Sequence, residues 1–273
     1  MSSEIKINRN QRRWYKYGKL IIGLAIAAAA AIIIGCIIAA AAGGKGKQQV
    51  ADGQQTESVS ETVTDENGNV VTTEAATESQ VSGSTLALKG EPVAEEFTQA
   101  AAYKNSVFVG DIFVNDLLKY GLIDEYYIWT SNYFTLEKAA NYVNDVAELK
   151  PEKLFLMFGF DDSAEASSDE TAAAYEKLVK SVKEVLPETK IYLISELPVS
   201  KSFDEEDGNI TQAVLDEVNS KMEKKASELG VTYINAADVF KDGTNIKDGY
   251  TNDGYHIKEE YHPFVLNGIA GLI

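Results

Sequence analysis

Five side chains in three short segments carry the chemistry that this chain offers most plainly: Asp111, Asp161, Asp162, Asp253 and His256. They stand in Gly110-Asp111-Ile112, Gly159-Phe160-Asp161-Asp162 and Asp253-Gly254-Tyr255-His256. Four carboxylates and one imidazole would suit Mg²⁺, Mn²⁺ or Ca²⁺ if they converged. Their spacing follows no metal-binding motif, so no metal or other cofactor is expected. Each residue also has a structural role open to it. Gly110 and Gly159 permit sharp turns, Asp111 suits a helix cap, and Asp253 with His256 suits a hydrogen-bonded pair that closes a loop.

The elements that must position these segments are read from hydrophobic periodicity. Short apolar runs at Ser106–Gly110, Tyr126–Thr130, Lys153–Gly159, Lys190–Ser195 and Val231–Asn235 suit strands buried on both faces. Amphipathic stretches at Thr135–Leu149, Glu170–Val185, Asn209–Leu229 and Ile257–Ile273 have the 3.6-residue spacing of helices, and Gly230 is placed to end the third. The alternation predicts an α/β fold, a doubly wound five-stranded parallel sheet of flavodoxin-like type. In such sheets ligands bind at the carboxyl ends of the strands. Gly110-Asp111 and Gly159-Asp162 fall at two of those ends, and the segment before the last helix can fold over them.

These segments, in this order, resemble the SGNH (GDSL-type) hydrolase family over about residues 90–273, and most of all its stalked, membrane-anchored members in Gram-positive bacteria. The family's blocks are Gly-Asp-Ser with the nucleophilic serine, Gly-x-Asn-Asp with an oxyanion-binding asparagine, and Asp-x-x-His with the acid and base of a triad. The resemblance implies triad roles for Asp253 and His256, and crevice positions for Gly110, Asp111, Gly159, Asp161 and Asp162. The sequence departs where the chemistry lies. Ile112 stands at the nucleophile and has no proton to lose. Asp161 stands at the oxyanion donor, and an ionised carboxylate donates nothing. The second-block glycine has no counterpart in Thr130-Ser131-Asn132-Tyr133.

The expectation is therefore a non-catalytic relative that binds a cell-surface ligand such as an acylated glycan, with Phe113, Tyr133, Phe134 and Tyr255 as candidate stacking surfaces. The alternative is an active ester hydrolase or acyltransferase with a displaced nucleophile. Of the nearby hydroxyls, Ser131 is better placed than Ser106, which begins its strand; Thr130 is a third. A scaffold beside a membrane acyltransferase partner is a further reading. His262 is expected on the surface, and Asp204–Gly208 as a solvated acidic loop.

The rest of the chain implies where such a domain would work. Residues 1–19 form a basic segment of local charge +5, against −17 for all 273 residues. Leu20–Ala42 is a 23-residue apolar run, long enough for a membrane span. The basic flank places the N-terminus in the cytoplasm and the remainder outside. An uncleaved signal anchor, cleavage near residues 39–42, and lipidation at Cys36 after Ile33-Ile34-Gly35 are the three readings of this run. Residues 43–95, rich in Gly, Ser, Thr, Gln and Glu, read as a disordered acidic linker, and 96–273 as the folded domain. The acidic balance disfavours nucleic acid. The single cysteine excludes an internal disulfide.

Overall fold

The computed structural model describes residues 83–273. The expected cytoplasmic segment, the apolar run 20–42 and most of the expected linker lie outside the described residues. Among the described residues, no helix is long and apolar enough to cross a membrane.

Six strands form one parallel sheet: β1 (Thr85–Ala87), β2 (Ser106–Gly110), β3 (Ile128–Trp129), β4 (Lys153–Met157), β5 (Lys190–Ile194) and β6 (Thr232–Asn235), in the order β1-β6-β5-β4-β2-β3. Strands β2 to β6 reproduce the flavodoxin-like order, which reverses between β2 and β4. Successive residues of these strands point to opposite faces. Val107, Val109, Leu154, Leu156 and Leu193 enter one core, and Phe108, Phe155, Met157, Tyr192 and Ile194 enter the other. Both faces are apolar because both are covered.

The first face carries α2 (Leu136–Ala140), α3 (Val143–Glu148), α5 (Ser168–Val185) and α7 (Gln212–Leu229). The second carries α1 (Ile112–Lys119) and α8 (His262–Ala270). Two short helices, α4 (Phe160–Ser163) and α6 (Lys201–Glu206), follow β4 and β5. The long helices start and stop where their ends are satisfied. Ser167 and Glu170 form a reciprocal capping box on α5. Thr211 caps α7, and Gly230 at φ 63° ends it.

The structure corrects five expectations about the elements. The sheet has a sixth strand, because the linker expected through residue 95 is ordered from the start of β1. Leu86 and Leu88 pack on the second core, and the chain onward to Gln99 is tied down by Tyr250 and Asn267. The helix expected over Thr135–Leu149 is split in two at Asn141-Tyr142, a pair of weak helix formers whose tyrosine ring turns toward Phe134. The second strand shrinks to two residues because Asp124 caps a 3₁₀ turn at Glu125–Tyr127. The last helix starts at His262, after a bridge from Thr251 to Ile257 and a 3₁₀ turn at Glu259–Tyr261. The acidic loop expected at Asp204–Gly208 begins as helix, and Asp204 accepts from Gln212 N–H at 2.7 Å.

Candidate functional site

The crevice lies where the strand order reverses. Gly110 ends β2 against β4, and a Cβ there would meet the Met157 carbonyl oxygen at 2.3 Å, so only glycine fits. The next residue, Asp111, is buried and reaches across to the loop after β4. Its Oδ2 accepts from the backbone N–H groups of Gly159, Phe160 and Asp161 at 3.2, 3.1 and 3.2 Å. Its Oδ1 accepts from Ile112 N–H at 2.7 Å. Gly159 sits at φ 141°, a conformation that gathers these three donors on one side. Burial first, then the nearby Asp161 charge, pushes the Asp111 carboxyl well above the usual carboxylate range, against the opposing pull of the Asp161 N–H. Asp111 is thus the clamp that joins β2 to the β4 turn.

Asp161 and Asp162 face the next loop. Asp161 Oδ2 accepts from Phe134 N–H at 2.7 Å, and Asp162 accepts from Leu136 N–H at 3.1 Å. Lys138 donates to the Tyr133 carbonyl. Between these anchors Tyr133 takes φ 53° and is 72% exposed. Burial raises both carboxyls, Asp162 to about 6, although the backbone donors pull the other way. Where the resemblance puts an oxyanion donor, the chain uses an acceptor to hold the loop that carries Tyr133.

The last loop keeps the acid–imidazole pair. His256 Nδ1 lies 2.8 Å from Asp253 Oδ2, and Asp253 Oδ1 accepts from His256 N–H at 3.0 Å and Tyr255 N–H at 3.3 Å. Partial burial works to raise the Asp253 carboxyl, but the bonds from the His256 backbone and ring and from Tyr255 outweigh it, and the net shift is downward. Beside this pair stands an apolar stack instead of a hydroxyl. Ile112 packs with Phe160, Phe203 and Tyr255 on a small core of Val199, Ile210 and Leu215. The Phe160 and Tyr255 rings are stacked at 5.3 Å, Phe203 and Tyr255 are 5.1 Å apart, and Tyr255 lies 4.2 Å from the His256 ring. What remains open is a small cleft whose lining includes Ile112, Met157, Phe160, Glu196, Tyr255 and Ile257.

The candidate hydroxyls are occupied or remote. Thr130 Oγ1 points to the Asp111 carbonyl at 3.4 Å, Ser131 Oγ to the Asn132 carbonyl at 3.4 Å, and Ser106 is buried at the opposite end of β2. Of the four candidate stacking residues, Phe113 and Phe134 are core, Tyr255 is half-buried and Tyr133 alone is widely exposed. Among the described residues, no three His, Cys, Asp or Glu side chains are arranged to hold a metal ion.

Sequence reasoning missed two features. Glu196, just past β5, is buried in the cleft wall; its only signal was an acid directly after a strand end. His262, expected at the surface, is fully buried. Its ring stacks on Phe113 at 5.1 Å, its Nδ1 lies 3.2 Å from the Lys258 carbonyl, and its Nε2 lies 3.5 Å from Asp116 Oδ2. Asp116 itself is buried on α1 and lines the cleft.

The fold has counterparts among solved structures. A GDSL-like lipase from Bacteroides thetaiotaomicron superposes with a TM-score of 0.51 at 19% identity, over 66% of this chain and 91% of that one. A Streptococcus pneumoniae protein described as a candidate platelet activating factor gives 0.51 at 19% identity, over 63% and 90%. At these identities the likeness is one of fold. No curated protein matches the sequence. The family model for GDSL-like lipases and acylhydrolases matches residues 126–263. That span takes in the Gly159–Asp162 turn and the Asp253–His256 pair, while Gly110-Asp111-Ile112 precedes it. With the sheet order, the β4 turn and the acid–imidazole loop all in place, the chain belongs to the GDSL-like lipase/acylhydrolase family.

Proposed function

We propose that this chain is a membrane-anchored, extracytoplasmic member of the family whose crevice binds a cell-surface acylated glycan without hydrolysing it. The observation that carries the reading is Ile112 packed against the small apolar cluster that contains Phe160, with Tyr255 beside them in the cleft lining. A serine nucleophile needs a hydroxyl beside a base and donors around the oxyanion. At this crevice the hydroxyl is replaced by a packed alkyl group. The third-block donor is replaced by Asp161, which is engaged with Phe134 N–H. The anchor is assigned to residues 20–42, the N-terminus to the cytoplasm and the domain to the outer face. The partners in this reading are wall glycan and a membrane acyltransferase, and the acidic charge disfavours nucleic acid.

One observation favours a second reading. The Asp253–His256 pair is intact at 2.8 Å, as a working general base requires. In that reading an ester hydrolase or acyltransferase uses a displaced nucleophile such as Ser131, or an activated water. The deciding experiment is p-nitrophenyl acetate hydrolysis by the full chain beside its His256→Ala variant. The binding reading expects both to match the buffer blank, together with saturable binding to purified cell wall. Turnover in the parent that disappears in the variant would replace the binding reading with the second.

A further inference from the structure

Glu196 has no part in the family's blocks, yet it occupies the cleft. Its backbone is fixed from both sides by Asn219, which accepts from Glu196 N–H at 2.8 Å and donates to its carbonyl at 2.9 Å. Its side chain runs against Gly159, where a Cβ would meet Glu196 Cγ at 3.0 Å. The residue is 3% exposed, and its Oε1 has no hydrogen-bond partner among the described residues. A buried polar atom left without a partner is rare in folded proteins and calls for an explanation.

The groups that face Glu196 come from every neighbouring element: Asp111 after β2, Asp116 on α1, Asp161 and Asp162 on α4, Tyr175 on α5, Tyr233 on β6 and Tyr255 in the last loop. None is basic. Burial, and after it repulsion from Asp111, Asp161 and Asp162, raises the carboxyl well above its ordinary range. A protonated carboxyl carries an O–H donor, and an apolar site that keeps an acid neutral turns it into one. Around it the cleft walls are the alkyl and aromatic surfaces of Ile112, Met157, Phe160, Tyr255 and Ile257.

We infer that Glu196 is the recognition group of this cleft, donating a hydrogen bond to the carbonyl oxygen of a small acyl group whose alkyl end rests on Ile112, Phe160 and Tyr255. The inference rests on the reading of the crevice as an acyl-glycan binding site, and it names what that site reads. Asp161 Oδ2 is taken up by Phe134 N–H; Glu196, on the neighbouring strand end, has an oxygen without a partner and supplies the donor. With Ile112 beneath it, the acyl group is held and not attacked.

The test is calorimetric titration of the full chain with O-acetylated peptidoglycan fragments, and with the same fragments after mild alkali has removed the acetyl groups. The acetylated form should bind about tenfold tighter, the effect of one buried hydrogen bond to a neutral group. Glu196→Leu should erase that preference. Glu196→Gln, whose amide N–H still donates, should keep it. The wild-type preference should fade as pH rises and the carboxyl ionises, while that of the Gln variant stays flat. A preference that survives in Glu196→Leu overturns the inference, as does equal binding of the two fragment sets by the wild type; in both cases the site remains a glycan site. If Glu196→Leu does not fold, a Gln variant whose preference fades with pH like the wild type overturns it too. No binding of either fragment set overturns the reading of the crevice itself, and the inference with it.

Discussion

At the scale of single residues, the crevice is defined by what Asp111 and Ile112 do in place of chemistry. Asp111 satisfies four backbone donors, three of them in the β4 turn. Asp111→Ala should leave those donors without a partner and cost about 2–4 kcal/mol. Asp111→Asn, which keeps an acceptor, should cost less than half of that. Urea midpoints of the two variants check this, and equal midpoints for Ala and wild type would remove Asp111 from its clamping role. Ile112→Ser should leave p-nitrophenyl acetate turnover at the blank, because Asp161, engaged with Phe134 N–H, still accepts where a donor is needed. Turnover in Ile112→Ser that is abolished by adding His256→Ala would show that one side chain alone holds the site silent. The residues nearest this chemistry were legible in sequence because each sits in a short block with a fixed local geometry. Glu196, Asp116 and His262 were not. Their burial is set by contacts distant in sequence, and a polar residue read locally is assigned to water.

The elements followed the sequence where one cause dominated. The runs at β2, β4 and β5 are apolar at nearly every position because helices cover both faces of the sheet. β1 was missed because its three residues gain their place from the β6 edge and from Leu86 and Leu88 beneath α8, not from their own pattern. The segment that closes the crevice depends on similar long-range contacts. Ser200 N–H donates to the Gly254 carbonyl at 2.7 Å, and this bond ties α6 to the acid–imidazole loop. Gly254 has φ 98°, and a Cβ there would meet Phe203 Cβ and Ser200 Oγ, each at 2.8 Å. Gly254→Ala should therefore separate α6 from the loop, at a cost of about 1–3 kcal/mol from backbone strain and overlap. Hydrogen exchange should accelerate at Ser200 and Phe203 while the β2 and β4 amides stay protected. Unchanged exchange at Ser200 would mean that the loop and α6 are not coupled.

For the whole molecule, the buried acids of the crevice set how stability depends on pH. Asp111, Asp161, Asp162 and Glu196 all have carboxyls raised in the folded state, chiefly by burial. A raised acid binds its proton more tightly folded than unfolded. Its contribution is therefore fully present below the unfolded value and is lost as pH rises through the folded one. For Asp162 that window runs from 3.8 to about 6, a loss of about 3 kcal/mol if it acted alone. Groups shifted the other way, Asp253, Glu91, Glu170, Glu176 and Glu217, lose their contribution only at the acid end, so they do not oppose the trend above pH 4.5. The formal charge of −17 adds self-repulsion in the same direction. The melting temperature of the full chain should accordingly fall between pH 4.5 and 7.5, and Asp162→Asn, which has no proton to lose, should flatten the slope. A melting temperature that climbs over that interval would mean that the four carboxyls are ionised without penalty. That would be incompatible with carboxyls buried as Asp111, Asp161, Asp162 and Glu196 are.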